Sequence, residues 1–322
     1  MLLAMLLALQ TAPTRETSPV LQFPTPGLDD PAAYEGYSAR VYRDSRGNSV
    51  EIYIEAKTGR LVHLWADALN ESIGFTVRDA GVAFDSGGAT VGATRGRRWL
   101  RYPLTVQGGR SIRVGQFLLG SMRIERDFGY AGRVRDSIDA PTFVVPEMAQ
   151  FAQRMGRPYT ERLTPSVRLT NTPRDWMMRA SQPSLDGKNH LWLTLHGDAR
   201  TTRARLAGGV LTIRPLGTRP VTFSVEIATD GAALDPLRRN QIFSTEFRRF
   251  ADSAKSQRLE REISGFELLS SRQKLMAGLP TYATYFGRDM LMTALLMEPV
   301  WADTMPEFVM GAALAKLPRM AK

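Results

Sequence analysis

Ser49–Trp65 reads SVEIYIEAKTGRLVHLW. Val50, Ile52 and Ile54 alternate with Ser49, Glu51, Tyr53 and Glu55, so an extended chain puts the aliphatic side chains on one face. Lys57-Thr58-Gly59-Arg60 supplies a turn and Leu61–Trp65 returns, which is the pattern of a β-hairpin. Working outward, further strand-like runs fall at Gly74–Val77, Trp99–Val106, Ser111–Leu119, Met122–Phe128, Ser166–Leu169, His190–Leu195, Val210–Ile213 and Val221–Ile227. Turns such as Gln107-Gly108-Gly109 and Ala207-Gly208-Gly209 separate several of them. Many short strands spaced by turns predict a β-sandwich over residues 34–233, with one helix interrupting it at Pro146–Met155.

The periodicity changes at Asp235. Leu237, Phe243, Phe247 and Phe250 fall on one helical face with Arg238, Arg239, Arg248 and Arg249 off it, and a second helical stretch covers Glu262–Met276. Residues 234–276 therefore read as a helical linker. Met290–Met297 is apolar nearly all round, which predicts burial on more than one side, and Pro299 stops it. Thr304-Met305-Pro306-Glu307 has capping-box spacing and starts a helix towards Leu317. At the other end, residues 13–33 are rich in Pro and polar residues and read as a linker.

The totals fit this plan. A chain of 322 residues is long enough for two domains, and 43% apolar with 23% charged residues argues against disorder. Cysteine is absent, which excludes disulfides, thiolate metal sites and a cysteine nucleophile. The net charge of +10 rests on arginine, since only 6 of the 42 basic residues are lysine. Arg78, Arg113, Arg123, Arg168 and Arg214 show how evenly they scatter, whereas a phosphate-binding face would be clustered. The densest group, Arg95-Gly96-Arg97-Arg98, reads as a short solvated loop, and nucleic acid is not expected as a partner. The opening MLLAMLLALQTAPT is too short to span a bilayer, which needs about 20 apolar residues, but fits a signal peptide over residues 1–12. A periplasmic or extracellular location follows, with no stable membrane span.

Chemistry concentrates in Gly278–Met292, GLPTYATYFGRDMLM. Arg288-Asp289 sits at the start of an apolar helix, after Tyr282, Tyr285 and Phe286. An Asp in a first turn is favoured by the helix dipole alone. A guanidinium and a carboxylate side by side also supply donors and acceptors for adjacent sugar hydroxyls, with aromatic faces for the apolar side of the ring. The order Gly278-Leu279-Pro280, then Phe286-Gly287-Arg288-Asp289, then an apolar helix resembles the amylo-α-1,6-glucosidase and glucoamylase-related glycoside hydrolases. The resemblance implies a β-sandwich, a helical linker and then an (α/α)6 barrel, of which residues 277–322 would be the first helices. It implies that Arg288 and Asp289, beside Tyr285 and Phe286, bind substrate, an oligo- or polysaccharide with α-linked glucosyl residues. Hydrolysis would proceed by inversion without a cofactor, with the catalytic acid and base beyond residue 322. Thr281-Tyr282 stands where relatives often carry Trp-Phe. The alternative is a non-catalytic carbohydrate-binding or scaffold sandwich.

Other constellations are weaker. His190 and His196 share a strand face but lie roughly 20 Å apart at strand rise, too far for one metal, and no metal site is expected. Glu125 and Asp127 suggest cross-strand ion pairs, Glu298 is explained as a helix-end residue and Glu307 as a capping-box residue, and Asn70-Glu71-Ser72 is a glycosylation sequon by pattern only. Nucleophile elbow, P-loop and dinucleotide fingerprint are all absent.

Overall fold

The computed structural model describes residues 14–15, 19–34, 36–43, 49–55, 59–65, 72–79, 82–84, 88–107, 110–121, 165–184, 188–275, 277–278 and 286–315. The strands expected at Met122–Phe128, the helix at Pro146–Met155, the pair Glu125 and Asp127, Asn70 of the sequon, Gly108 and Gly109, and residues 1–12 lie outside this set.

In chain order the strands are β1 (Thr14–Arg15), β2 (Leu21–Phe23), β3 (Tyr37–Arg43), β4 (Ser49–Glu55), β5 (Arg60–Trp65), β6 (Ser72–Arg78), β7 (Val82–Phe84), β8 (Thr90–Thr94), β9 (Arg97–Val106) and β10 (Ile112–Ser121). They continue as β11 (Ser166–Asn171), β12 (Asp175–Pro183), β13 (His190–Asp198), β14 (Thr202–Ala207), β15 (Val210–Pro215) and β16 (Val221–Thr229). Sheet one runs β1-β8-β9-β16-β13-β12-β11 with β7 also on β9, and sheet two runs β14-β15-β10-β6-β5-β4-β3-β2. Every strand pairing in both is antiparallel among the described residues. The two sheets close on one core that includes Ile52, Phe75 and Val114 from sheet two and Leu100, Trp176, Leu193 and Phe223 from sheet one. This is the β-rich domain that the alternation predicts, and the Ser49–Trp65 hairpin is present with Val50 opposite Trp65.

Turn chemistry sets the registers. Gly208 and Gly209, both at positive φ, join β14 to β15 in a two-residue loop, and Arg95 with Gly96 does the same between β8 and β9. Gly59 has φ +67°, and a Cβ there would lie 2.0 Å from the Val77 carbonyl oxygen, so only glycine lets these backbones approach. Arg95–Arg98 is thus only half a loop: Arg98 is buried and donates to the carbonyls of Gly231 and Ala232. The stretch 13–33, read as a linker, carries β1 and β2, and Leu21 and Phe23 are buried on the outer side of sheet two with Ala39, Val41, Tyr53 and Leu118. The alternation of buried Leu21 and Phe23 about exposed Gln22 is too short to register as a pattern against the neighbouring prolines.

The helical part departs from the sequence reading in detail. The helices are α1 (Arg239–Ile242), α2 (Thr245–Ala254), α3 (Gln257–Leu269), α4 (Gly287–Leu296) and α5 (Met305–Leu314). The single amphipathic helix expected from Asp235 is broken, because Phe243 is extended and pairs with Trp301 while Ser244 caps α2 by accepting from the Phe247 amide. Phe250 is consequently exposed. The second stretch ends at Leu269, where β17 (Ser270–Ser271) and β18 (Lys274–Leu275) form a small hairpin in place of further helix. On α5 the Thr304 side chain makes no cap hydrogen bond, so the capping-box spacing there is not used. Residues on both sides of position 276 share one core: Ile242, Phe243, Ile263 and Leu275 pack with Met290, Trp301, Met305 and Val309. Leu268 of α3 joins the Leu21–Phe23 cluster and so docks this helical unit on sheet two.

Candidate functional site

Phe286 is the half-buried residue preceding α4, Arg288 is 85% exposed, and Asp289 lies in the first turn. The Arg288 Nη2 is 3.4 Å from both Asp289 carboxylate oxygens, a long and solvated contact. Arg288 and Asp289 are therefore neighbours that reach water, while Tyr285 lies outside the described residues. Met290 and Ala294 anchor α4 in the helical core. The burial on several sides expected for this helix is not found: Leu291, Met292, Leu295 and Leu296 are exposed, with Leu295 at 68% and Leu296 at 73%. Glu298 begins a short 3-10 turn and Glu307 sits in the first turn of α5.

A second site lies on the outer face of sheet one. Alternation that sends Leu100, Met178, Leu193 and Val225 inward sends the intervening side chains outward. Antiparallel pairing aligns Arg101, Glu226, Thr194, Arg179 and Arg168 in one row across β9, β16, β13, β12 and β11. The next row places Trp99, Ala228, Trp192, Ser181 and Ser166 side by side. All of these but Trp99 and Ala228, together with Arg97, Thr170, Met177, His196 and Ser224, line a groove of ≈ 860 Å³, within the range of small-molecule sites.

The electrostatics of the groove are uneven. Arg101 donates to Glu226 Oε2 from Nε at 3.1 Å and Nη2 at 2.5 Å. Arg97 lies 3.9 Å from the centroid of the Trp192 ring, a cation–π contact that holds its guanidinium over the groove, and His190 stacks on the same indole. Burial pushes the Arg97 pKa down. Glu226 and Asp230 oppose that shift, and Arg179 reinforces it. His196 Nε2 is 3.8 Å from Asp175 Oδ2, so His190 and His196 serve neighbours on the sheet, and no group of three metal-ligating side chains occurs among the described residues.

None of Phe286, Arg288 and Asp289 lines this groove. Arg101, Arg168 and Trp192 fall in runs that the sequence reads as strands, whereas Arg97 falls in the stretch read as a loop and Arg179 lies on β12, a strand the sequence reading does not include. Their convergence depends on strand order, which places β9 beside β16 and β13 beside β12. Among the described residues no helix is long and apolar enough to cross a membrane.

No protein-family model matches the chain, and no curated protein matches it. Among solved structures it is similar to a putative kojibiose phosphorylase from human microbiome, at 8% identity and a TM-score of 0.19, over 67% of this chain and 24% of that one. The chain thus spans about a quarter of the length of that protein. A likeness this slight carries no conclusion about activity.

Proposed function

We propose that this chain forms the N-terminal part of an exported glycoside hydrolase acting on α-linked glucosyl saccharides. In this reading Arg288 and Asp289 hold hydroxyls of the bound sugar, while Tyr285 and Phe286 offer it an aromatic surface. The observation that best supports it is the water-facing Arg288–Asp289 pair at the first turn of α4, on a helix anchored through Met290 and Ala294. Its chemistry suits adjacent hydroxyls, which both accept from a guanidinium and donate to a carboxylate. Inverting hydrolysis needs an acid and a base roughly 6.5–9.5 Å apart with a water between base and sugar. Glu298 and Glu307 are accounted for by their places at helix starts, so the reading assigns that pair to barrel loops outside this sequence. Residues 1–12 would be removed on export to the periplasm or beyond.

The test is hydrolysis of small α-glucosides by the whole protein and by its Asp289→Ala and Arg288→Ala variants. Each variant is expected to lose at least about a hundredfold in kcat/KM, ~3 kcal/mol of transition-state binding, with unfolding unchanged because both side chains reach water. Near-normal turnover would refute the substrate-gripping role. The other reading, a non-catalytic carbohydrate-binding sandwich, is favoured by the groove on sheet one. Saccharide binding by a whole protein that hydrolyses none of these glucosides would select it.

A further inference from the structure

Sheet one carries more positive charge on its outer face than the groove's own carboxylate neutralises. Glu226 is taken by Arg101, while Arg97, Arg168 and Arg179 have no ion pair within 4 Å among the described residues. Arg168 and Arg179 stand directly opposite each other in the β11–β12 register, on strands about 5 Å apart. Like charges so placed weaken a sheet. An anion between them turns the repulsion into a two-pronged clamp, since each guanidinium presents a fork of donors matched to a carboxylate or sulfate. Arg97 adds a third cation, and its Nε is buried with no hydrogen-bond partner.

We propose that this groove binds an acidic saccharide, its carboxylate or sulfate groups held by Arg97, Arg168 and Arg179 and its hydroxyls by Ser181, Thr194 and Ser224. Thr194 shares the row of Arg168 and Arg179, and Ser181 and Ser224 lie in the rows on either side of it, which intersperses neutral hydrogen-bonding partners among the charges. A neutral sugar would leave the charge of the three guanidinium groups uncompensated. Single-stranded nucleic acid would need exposed aromatic platforms for its bases. Trp192, which lines the groove, has its ring engaged by Arg97 and His190. The inference concerns the sandwich alone and stands whether or not Arg288 and Asp289 grip a substrate.

Calorimetric titration of the 322-residue chain tests it with four probes: trigalacturonate, a sulfated maltotriose, neutral maltotriose and an oligothymidylate. At least one acidic trisaccharide is expected to bind tenfold or more tightly than maltotriose and the oligothymidylate, and the tighter of the two acids identifies the anionic group. The double variant Arg168→Gln with Arg179→Gln is expected to lose at least tenfold in affinity, without a fall in unfolding temperature, because both side chains are exposed. Arg214→Gln, an exposed charge on β15, is expected to bind as the unchanged chain does. Equal binding of maltotriose, equal binding of the oligothymidylate, binding of neither acid, or a double variant of unchanged affinity would each overturn the proposal.

Discussion

The Arg261 guanidinium lies 2.7 Å from the Asp29 carboxylate, 232 residues earlier in the chain, and 4.4 Å from the centroid of the Phe23 ring. It carries helix α3 onto the edge of sheet two, where Leu268 packs with Leu21 and Phe23. Both partners are nearly buried, with side-chain exposures of 15% and 8%, and Asp29 also accepts from the Thr25 amide. Removing one charge leaves the other buried without its partner. Asp29→Ala is therefore expected to destabilise the chain by about 3 kcal/mol in urea unfolding. Amide exchange in α3 should rise more than in β13. Equal exchange in both would show that the pair does not join the helical unit to the sandwich.

Gly197 faces Trp176 across β12 and β13, and a Cβ at that glycine would lie 2.3 Å from the indole. The ring cannot retreat freely, because its Nε1 donates to Thr202 Oγ1 at 2.8 Å inside the core. Gly197→Ala is expected to cost about 1–3 kcal/mol by overpacking, read as a lower unfolding temperature. Gly208→Ala meets no atom within 4 Å and is strained only by its φ of +56°, so its cost should be smaller.

Asp198 accepts from the Arg200 side chain and amide in the turn between β13 and β14, and these bonds lower its pKa to about 2. A carboxylate with a depressed folded pKa contributes its stability above the unfolded value of 3.8 and loses it as pH falls towards about 2. Carbon NMR titration should find Asp198 ionised at pH 3, and Arg200→Ala should return it towards the ordinary carboxylate range. An unchanged titration in that variant would remove Arg200 as the cause.

Leu291, Met292, Leu295 and Leu296 on α4 and Met310 and Leu314 on α5 face water. So much apolar surface on adjacent helices favours association. The 322-residue chain is expected to sediment as concentration-dependent assemblies, and Leu295→Glu with Leu296→Lys to shift it towards monomer without lowering its unfolding temperature. A monomer at every concentration would argue that these faces are not adhesive.

Arg239 bridges two carboxylates of α3, Glu267 and Glu260, and their hydrogen bonds, Glu267 first, raise its pKa above the ordinary value. Lysine keeps the charge but loses the fork. Arg239→Lys is expected to cost about 1 kcal/mol, most of it from Glu267, since Glu260 is 56% exposed and screened by water.

Alternation of apolar residues in Ser49–Glu55 and Trp99–Val106 was enough to identify strands, because a period of two needs no knowledge of neighbours. It was also enough to expect a β-rich part followed by helices. Local pattern failed where a tertiary partner overrode it. Phe243 leaves the helical path to pair with Trp301, and the apolar ring of Met290–Met297 finds a core on one side only. The sequence also showed Arg288 beside Asp289, since adjacency needs no fold.

The groove was of another kind. Arg97, Arg168 and Arg179 look scattered along the chain because they are separated by up to 82 positions, and nothing local says which strands will be neighbours. Strand order and register bring them to one face and set Arg168 opposite Arg179. Sequence by itself thus determined the inward and outward alternation within runs such as Ser49–Glu55 and Trp99–Val106, through backbone geometry. Only the tertiary structure decided which of them meet, because cross-strand pairing is a long-range choice fixed by the closing of the common core.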